Sequence, residues 1–473
     1  MSNCSHPPYF AIPLPGLRTT SSSFTQRPRG MHDRDSMPRC RRLLCRRFSA
    51  TYALIAFIVS ITVCFVLLQH GITPYSVKQT YSFGGTFLRN HQDLDEVDDL
   101  SLGLPNRNGE RTGETKRLYI HSKLEAILTW RELENLVDCV RVDGSKTQTK
   151  PCPVQCPSGD RLEITMDSDL DKARDKDAVI VGLSPYTMNR PLEAIVNYEP
   201  PPGQLVVFYS MENVMRMHYW QSRLGKFKFH IDLTYGYYSN ITVPYGYYQP
   251  VTGKGPDIKL KNRLAGKTKL IAWMASNCKE TFWPRNEFVA ELQKYIDVDT
   301  YGRCGQLQCQ PRLSLDCSEM LSSYKFYLAL ENSECNDYLS EKIWNSSLEN
   351  DVIPVVYGPS KADYEKLAPP NSFIHISDFD TVEELAKYIK RVAEDEKLYN
   401  SYFYWREQGK VVQVYPRLQL HYFCKLLPYM KNVPNTMIKL EDSGWYNSCR
   451  NKLQHGIPVN LTTLHQFDNW KPW

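Results

Sequence analysis

A strand, a loop and a helix within residues 324–358 carry the side chains best suited to hold an anion. An apolar strand ends at LEN, a short loop follows, and the next helix is expected to start near Asp337 with Glu341 and Lys342 in its first turn. Free backbone N–H groups and the helix dipole at such a start attract anions, and Lys342 adds a full positive charge. The segment therefore suits a diphosphate, and a merely solvated first turn is the competing interpretation.

The elements that must position these side chains follow an α/β pattern. Apolar runs of strand length, such as AVIVGL at 178–183 and QLVVFYS at 204–210, alternate with segments of helical period. A break marked by Pro and Gly at 244–261 separates an N-terminal Rossmann-like domain at 116–255 from a C-terminal one at 262–430. Ligands of such sheets bind beyond the carboxyl ends of the strands, so we expect a cleft between the two domains.

The N-terminal part of the chain predicts a membrane anchor. The uncharged stretch at 48–68 is long enough to span a bilayer, which takes roughly 20 mainly apolar residues. Arginines crowd its N-terminal side, which predicts a cytosolic tail at 1–47 and a lumenal remainder. Residues 69–115 have the composition of an extended stem, and 431–473 form a tail that contains cysteine. A cleaved signal peptide is the alternative, but its apolar region would be shorter and nearer the start.

Cysteine use and charge narrow the class of protein further. Ten of the 14 cysteines follow the predicted anchor, an even number that favours disulfides in an oxidising compartment. Zinc is less favoured, because neither Cys152-x3-Cys156 nor Cys304-x4-Cys309 is the tight Cys-x2-Cys pair of a zinc site. The net charge is only +5 over 473 residues, and no Lys/Arg tract runs through the body. Nucleic acid is therefore not an expected partner.

Residues 324–358 resemble the donor-binding signature of the α1,3/α1,4-fucosyltransferase family, whose members read FYLAFENS, DY, TEK and a VPVV-like strand. The strings here are FYLALENS, DY, SEK and IPVV, with Ser340 in place of the usual Thr. The similarity continues at 368–409 and upstream at 276–305. It implies a GT-B fold, two Rossmann-like domains facing a cleft, and transfer of L-fucose from GDP-β-L-fucose with inversion. The cysteines and the string DSGWYNSCRN are more similar to invertebrate members.

The same resemblance implies roles for residues of the C-terminal domain. Arg285 and Lys342 match the basic residues that neutralise the diphosphate. Asn332, Tyr338 and Glu341 match positions that hold nucleoside, ribose or fucose hydroxyls. These roles are physically reasonable, because the departing GDP gains negative charge and preorganised cations stabilise that state. For Arg285, a helix-start arginine with a surface partner is the alternative.

An inverting transfer also needs a base that accepts the proton of the acceptor hydroxyl. The family uses a glutamate in a Glu-Ser-Pro string just beyond a strand of the N-terminal domain, and the matching residue here is Glu212, followed by Asn213 and Val214. A solvated glutamate is the alternative. The family string TYR-x-DSDI-x-x-PYG is also altered at 234–246, where an arginine and two aspartates are missing. The acceptor therefore stays open, and low activity is a further alternative.

No obligatory metal is expected. Asp167-Ser-Asp169 and Asp297-Val-Asp299 have D-x-D spacing, but an acidic helix start and a strand edge explain them as well. Two basic residues already supply positive charge to the predicted site. We therefore expect GDP-fucose as the donor substrate, no obligatory cofactor, and at most a stimulatory divalent cation.

The sequence as a whole predicts a Golgi type II membrane protein with a lumenal catalytic domain, an α1,3-fucosyltransferase acting on N-acetylglucosamine of glycoprotein glycans. The candidate acceptors are the innermost N-acetylglucosamine of an N-glycan core and the antennal one of LacNAc or LacdiNAc. Asn240 and Asn460 head N-x-T sequons and are predicted glycosylation sites. A noncatalytic lumenal glycan-binding protein on the same anchor, or a weakly active family member, is the alternative.

Overall fold

The structure, a computed structural model, describes part of the chain. The described residues are 113–128, 130–182, 192–216, 221–251, 261–310, 314–415, 418–450 and 471–472. The predicted cytosolic tail and membrane anchor lie outside these ranges, as does nearly all of the predicted stem. In the described ranges, no helix is both long enough and apolar enough to cross a bilayer.

Two mainly parallel sheets form the frame. The strands, in chain order, are β1 (Thr115–His121), β2 (Cys152–Gln155), β3 (Arg161–Asp167), β4 (Ala178–Val181), β5 (Leu205–Ser210), β6 (Lys228–Phe229), β7 (Ile231–Thr234), β8 (Ile241–Thr242), β9 (Gly246–Pro250), β10 (Lys269–Met274), β11 (Asp299–Tyr301), β12 (Tyr324–Leu330), β13 (Ile353–Tyr357), β14 (Ile374–His375), β15 (Gly409–Gln413) and β16 (Ile438–Lys439). The first sheet has the order β2-β3-β1-β4-β5-β7-β8 and the second β11-β10-β12-β13-β14. Within these two sheets only the pairing of β2 with β3 is antiparallel. In each sheet the first strand of the parallel part lies between the second and the third, the doubly wound order with a switch point beside that strand. The predicted α/β class agrees with this frame.

Helices follow most of the parallel strands. The α-helices, in chain order, are α1 (Leu124–Ile127), α2 (Glu134–Val140), α3 (Leu192–Val196), α4 (Gln221–Leu224), α5 (Arg285–Leu292), α6 (Leu315–Ser322), α7 (Glu341–Trp344), α8 (Lys361–Leu367), α9 (Val382–Glu394), α10 (Glu396–Ser401) and α11 (Leu427–Lys431). Short 3-10 helices lie at Arg131–Leu133, Leu170–Ala173, Leu348–Asn350, Ile376–Asp378, Tyr404–Glu407, Leu420–Leu426 and Leu440–Asp442.

Thr381 followed by Glu384 is a capping-box pattern that predicts a helix start, and helix α9 begins at the residue after Thr381. The side chain of Thr381 caps it by accepting a hydrogen bond from the backbone N–H of Glu384 at 3.1 Å. The carboxylate of Glu384 in turn accepts a hydrogen bond from the backbone N–H of Asp380, the residue before the cap, at 3.2 Å. The apolar face packs into the core of the second sheet through Leu385, Ile389 and Val392.

Two helices are shorter than the sequence predicts. Phe288, Leu292 and Tyr295 recur at helical spacing and predict one apolar helix face, but α5 ends at Leu292 and Tyr295 is 37% exposed. Helix α7 begins at Glu341 and not near Asp337. The backbone of Asp337 has a φ of +58°, a left-handed conformation that a right-handed helix cannot contain. The loop after β12 is therefore longer than expected.

After the second sheet is complete, two short strands pair with earlier strands in two separate two-stranded antiparallel sheets. Strand β15 pairs with β9, and β16 pairs with β6. The predicted disulfides are present, because all ten cysteines after the predicted anchor are paired; the bonds are Cys139–Cys152, Cys156–Cys424, Cys278–Cys304, Cys309–Cys317 and Cys335–Cys449. Two of them, Cys156–Cys424 and Cys335–Cys449, tie the part of the chain after the second sheet to earlier loops. The domain boundaries predicted from the sequence stay predictions.

Candidate active site

A cleft opens at the switch point of the second sheet. It holds about 690 Å³, counting the part open to solvent. Met274 at the end of β10 and Tyr327 of β12 line its floor, helix α6 forms one wall, and Glu341 and Lys342 of α7 lie at another side. This is the place at which doubly wound sheets bind their ligands.

A buried carboxylate organises the loop between β12 and α7. Glu331, 1% exposed, accepts hydrogen bonds from the backbone N–H of Ser340 at 2.8 Å and from its hydroxyl at 2.7 Å. It also accepts one from the Lys342 ammonium at 2.8 Å. Gly358 has a φ of +144°, and a Cβ there would lie only 2.5 Å from the Cβ of Glu331. The close approach of these two backbones therefore requires glycine at position 358.

Lys342, a predicted diphosphate ligand, lies at the cleft with its charge already partnered. Its Nζ is 2.8 Å from Glu331, 2.7 Å from the hydroxyl of Ser340 and 3.5 Å from Glu341. Burial disfavours the charged form, but the two carboxylates outweigh it and raise the pKa of Lys342. The side chain is therefore an ammonium at neutral pH. Its longest contact, to Glu341, is the one that a phosphate oxygen can most easily replace.

Arg285, the second predicted diphosphate ligand, is the first residue of α5 and is only 2% exposed. Its guanidinium donates to the carbonyls of Leu330 at 3.1 Å and Asn277 at 2.6 Å, and it lies 5.8 Å from the ring of Trp273. Burial lowers the pKa of Arg285 to about 10, so it remains a cation at neutral pH. Its Nε–H has no hydrogen-bond partner among the described residues. Arg285 is a buried cation beneath the end of β12, not a surface residue with a surface partner.

Glu212, the predicted base, follows β5 of the first sheet and is partly exposed to solvent. Its backbone carbonyl accepts hydrogen bonds from the hydroxyl of Ser210 at 2.8 Å and the indole N–H of Trp445 at 2.9 Å. Its carboxylate accepts one from the hydroxyl of Tyr338 at 3.2 Å. The structure thus brings Glu212 together with Tyr338, another predicted site residue, although the two follow strands of different sheets.

The surroundings of Glu212 raise the pKa of its carboxyl group. Burial raises the pKa of its carboxyl group, while the positive charges of Arg216 and Lys342 act against this shift. Arg216 also forms an ion pair with Glu280. The carboxylate therefore lies close to two cations and in a poorly hydrated place. A carboxylate with a raised pKa holds a proton more firmly and so is a stronger general base.

Asn213, which replaces the serine of the family string, joins the two halves of the site. Its amide donates to the side-chain oxygen of Asn332 at 2.8 Å, and its own oxygen accepts from the hydroxyl of Ser333 at 2.9 Å and from the backbone N–H of Met215 at 3.1 Å. Asn213 is 0% exposed. Asn332, a predicted donor ligand, is therefore held by the loop that carries Glu212.

Tyrosines fill the altered segment at 234–246. The ring of Tyr235 is buried and lies edge-on to Tyr338, with centroids 4.8 Å apart. The backbone N–H of Tyr237 donates to the carboxylate of Asp337 at 3.0 Å, and the Lys366 ammonium lies 5.3 Å from the Tyr237 ring. The segment thus contacts the loop between β12 and α7, residues 331–340, through aromatic rings and a backbone hydrogen bond. This loop is called the donor-side loop below.

Three of the four D-x-D carboxylates have structural partners. Asp167 pairs with Lys172, and Asp169 caps a 3-10 helix by accepting from the N–H of Asp171. Asp299 accepts a hydrogen bond from the hydroxyl of Tyr324. In the ranges that the structure covers, no three His, Cys, Asp or Glu side chains group so as to hold a metal ion.

The two predicted glycosylation sites differ in what the structure shows of them. Asn240 is exposed in the turn between β7 and β8, as an acceptor asparagine must be. Asn460 lies outside the described residues.

Three residues at the site were not predicted to act there. Glu331 had a signal, since it is a lone carboxylate at the end of an apolar strand, where burial demands a partner. Arg216 follows Glu212 by four residues, a spacing that brings side chains together in helical turns. Trp445 had no local signal, because its contact is with a residue 233 positions away.

A match to a known protein family covers most of the C-terminal half of the chain. Residues 264–442 match glycosyltransferase family 10 (fucosyltransferase) C-term. The chain therefore carries a glycosyltransferase family 10 (fucosyltransferase) domain, and this domain contains the second sheet, the cleft and Arg285, Asn332, Tyr338, Glu341 and Lys342.

Curated relatives include glycoprotein 3-alpha-L-fucosyltransferase A of Drosophila melanogaster, 40% identical over 186 residues, or 39% of this chain and 35% of the relative. Another is 4-galactosyl-N-acetylglucosaminide 3-alpha-L-fucosyltransferase FUT5 of Homo sapiens, 36% identical over 256 residues, or 54% of this chain and 65% of the relative. The alignments thus span one third to two thirds of these relatives. A solved alpha1,3-fucosyltransferase with GDP-fucose matches 70% of this chain and 95% of its own at 17% identity, with a TM-score of 0.42, too low to carry an argument.

The bridge between Asn213 and the donor-side loop should contribute measurably to stability. Asn213→Ala leaves the buried oxygen of Asn332 and the hydroxyl of Ser333 without these partners, which should lower the free energy of unfolding by about 1–3 kcal/mol. Urea denaturation of the purified protein measures this. Asn197→Ala, at an exposed position, is the control and should change stability by about 0.5 kcal/mol or less. Equal stability of the two variants would show that the bridge is energetically neutral.

Proposed function

We propose that this protein is an inverting α1,3-fucosyltransferase that moves L-fucose from GDP-β-L-fucose to an N-acetylglucosamine of glycoprotein glycans. The observation that carries the proposal is the meeting of Glu212 with the donor-side loop. The carboxylate of Glu212 has a raised pKa, accepts a hydrogen bond from Tyr338 and feels the positive charge of Lys342, which lines the cleft. An inverting glycosyl transfer needs such a base beside a site for a leaving diphosphate.

The proposed reaction uses these groups in one displacement. Glu212 accepts the proton of the acceptor hydroxyl as the oxygen of that hydroxyl forms a bond to C1 of fucose. The bond between C1 and the diphosphate oxygen breaks, and its electron pair leaves with GDP. Lys342 and the buried guanidinium of Arg285 stabilise the charge that builds up on the diphosphate. In this proposal the donor binds on the second sheet and the acceptor on the first, as in an architecture of the GT-B type.

The proposal also covers the place of action. The apolar stretch at 48–68 with its flanking arginines supports a single-span type II anchor in the Golgi membrane, with the two sheets in the lumen. Five disulfides fit an oxidising lumen. The N-glycan core and antennal N-acetylglucosamine are both candidate acceptors.

A transfer assay tests the proposal directly. The purified lumenal part is incubated with GDP-fucose and defined N-glycan, LacNAc and LacdiNAc acceptors, with and without EDTA, and products are identified by mass spectrometry. Addition of one fucose to an acceptor supports the proposal, and the acceptor that reacts identifies the substrate. Tight glycan binding without transfer would support the alternative, a noncatalytic glycan-binding protein.

Glu212→Gln should abolish transfer and leave donor binding nearly intact. Glutamine keeps the size and the hydrogen bond to Tyr338 but cannot accept the proton, and loss of a general base typically lowers the rate by about 10² to 10⁴. Turnover and GDP-fucose affinity are measured on the same variant. Glu441→Gln, on a surface 3-10 helix, serves as the control. Retained turnover would eliminate Glu212 as the base, and parallel loss of donor affinity would indicate a structural role.

The transfer rate should fall at low pH, and Tyr338 should influence the pH at which it falls. The rate falls as pH is lowered through the raised pKa of Glu212, because the protonated carboxyl cannot accept a proton. The Tyr338 hydroxyl stabilises the carboxylate and so holds that pKa down. Tyr338→Phe should therefore move the acid limb of the kcat profile to higher pH. Tyr399→Phe, which removes a hydroxyl bonded to the carbonyl of Lys325, should leave the limb in place. An unmoved limb in Tyr338→Phe would exclude this contact from the working site.

The charge of Lys342 should bind the diphosphate, and its pairing with Glu331 calls for a two-step test. Lys342→Ala alone leaves a buried carboxylate unpaired, so its effect would mix stability with binding. Glu331→Gln should keep GDP affinity, because the ammonium remains. Adding Lys342→Ala to Glu331→Gln should then weaken GDP binding by about 100-fold, on the order of 3 kcal/mol. Calorimetric titration with GDP measures both variants, and equal affinities would refute the phosphate role.

A further inference from the structure

The C-terminal segment at 445–450, called the strap below, lies beyond residue 442, where the family match ends. It nevertheless contacts both halves of the site. Trp445 at its start is 0% exposed, and Cys449 near its end is in a disulfide with Cys335.

One end of the strap holds the loop of the base. The indole N–H of Trp445 donates to the backbone carbonyl of Glu212 at 2.9 Å. The indole ring packs edge-on against Phe208 of β5, with centroids 4.8 Å apart. The same carbonyl accepts from the hydroxyl of Ser210 at 2.8 Å. Two donors from different directions fix the orientation of this peptide plane, and with it the direction in which the Glu212 side chain leaves the backbone.

The other end of the strap holds the donor-side loop. Besides the disulfide to Cys335, the backbone N–H of Asn336 donates to the carbonyl of Ser448 at 2.8 Å. The backbone N–H of Arg450 donates to the carbonyl of Glu334 at 2.7 Å. The loop residues that make these contacts precede Tyr338 by two to four positions. The hydroxyl of Tyr338 donates a hydrogen bond to the Glu212 carboxylate. The strap therefore spans from the backbone of Glu212 to the backbone just before its partner.

We propose that Trp445 is a positioning residue for Glu212, and that the strap fixes the base against the donor-side loop. The inference rests on the proposed role of Glu212 as the base. Trp445 is not among the residues that line the cleft, and its hydrogen bond is to the backbone of Glu212, through which it acts. A six-residue segment outside the family match is thus part of what makes the site competent.

Trp445→Phe is the sharpest test of the indole contact. Phenylalanine keeps an aromatic ring beside Phe208 but removes the N–H that holds Glu212. We expect kcat to fall by about tenfold, as loss of one well-placed hydrogen bond would produce, while the KM for GDP-fucose and the affinity for GDP stay within about twofold. This split separates positioning from general loss of structure, which would lower the amount of folded protein and not the turnover of folded molecules.

Trp405→Phe is the matched control. Trp405 is also buried, and its indole N–H has no hydrogen-bond partner in the part of the chain that the structure describes. The substitution removes the same atoms from a buried site without loosening the base, so kcat should stay at the wild-type value. Wild-type kcat in Trp445→Phe, or an equal fall in both variants, would overturn the proposal.

A second variant tests the other end of the strap and decides the matter if Trp445→Phe does not fold. Cys335→Ser with Cys449→Ser removes the tether to the donor-side loop and should also lower kcat at unchanged GDP affinity. Cys139→Ser with Cys152→Ser removes a disulfide at the edge of the first sheet and should leave kcat unchanged. Full turnover of the Cys335/Cys449 variant would overturn the proposed role of the strap.

The outcomes also separate this inference from the proposed function. An inactive Glu212→Gln together with a fully active Trp445→Phe refutes the positioning role and leaves the base intact. An active Glu212→Gln refutes both, because there is then no base to position. An inactive Glu212→Gln with the expected kcat loss in Trp445→Phe supports both.

Discussion

The largely buried ion pair between Glu331 and Lys342 constrains the whole donor side of the site. Two charges removed from water are destabilising unless other hydrogen bonds satisfy them. Here the backbone N–H and the hydroxyl of Ser340 donate hydrogen bonds to the Glu331 carboxylate, and the same hydroxyl accepts one from the Lys342 ammonium. The threonine usual in the family carries the same hydroxyl, so the change to serine preserves this arrangement. The pair thereby holds Lys342 at the start of α7, facing the cleft.

The loop that the ion pair organises reaches the first sheet. Tyr338, within the loop between β12 and α7, donates a hydrogen bond to the carboxylate of Glu212, which follows β5. The cations near Glu212 would by themselves lower the pKa of its carboxyl group, but burial raises it. Desolvation therefore keeps this carboxylate basic even though positive charges act on it.

The donor side could be predicted from the sequence because its chemistry is local. Strand β12, Tyr338 and Lys342 fall within one contiguous string, and the apolar strand with its polar end is visible without a structure. The sequence predicts α7 too early because it does not show the left-handed backbone of Asp337, whose carboxylate accepts a hydrogen bond from the N–H of Tyr237, 100 residues away. What could not be predicted depends on such long-range pairing. The partner of Asn213 lies 119 residues away, and that of Trp445 lies 233 residues away. The same limit applies to the disulfides, since ten cysteines indicate oxidation but not which pairs form.

The departures from the family pattern in the first sheet cluster in space, and this bears on their meaning. Asn213 bonds the donor-side loop, and Tyr235 packs against Tyr338. Gly444, next to Trp445, lies so close to the ring of Tyr238 that a Cβ would come within 2.9 Å of it. The replaced residues pack against one another, against the donor-side loop and against Gly444 beside the strap. A closely packed aromatic cluster beside Tyr338 thus stands where the family string carries an arginine and two aspartates, which changes this wall of the site from charged to aromatic.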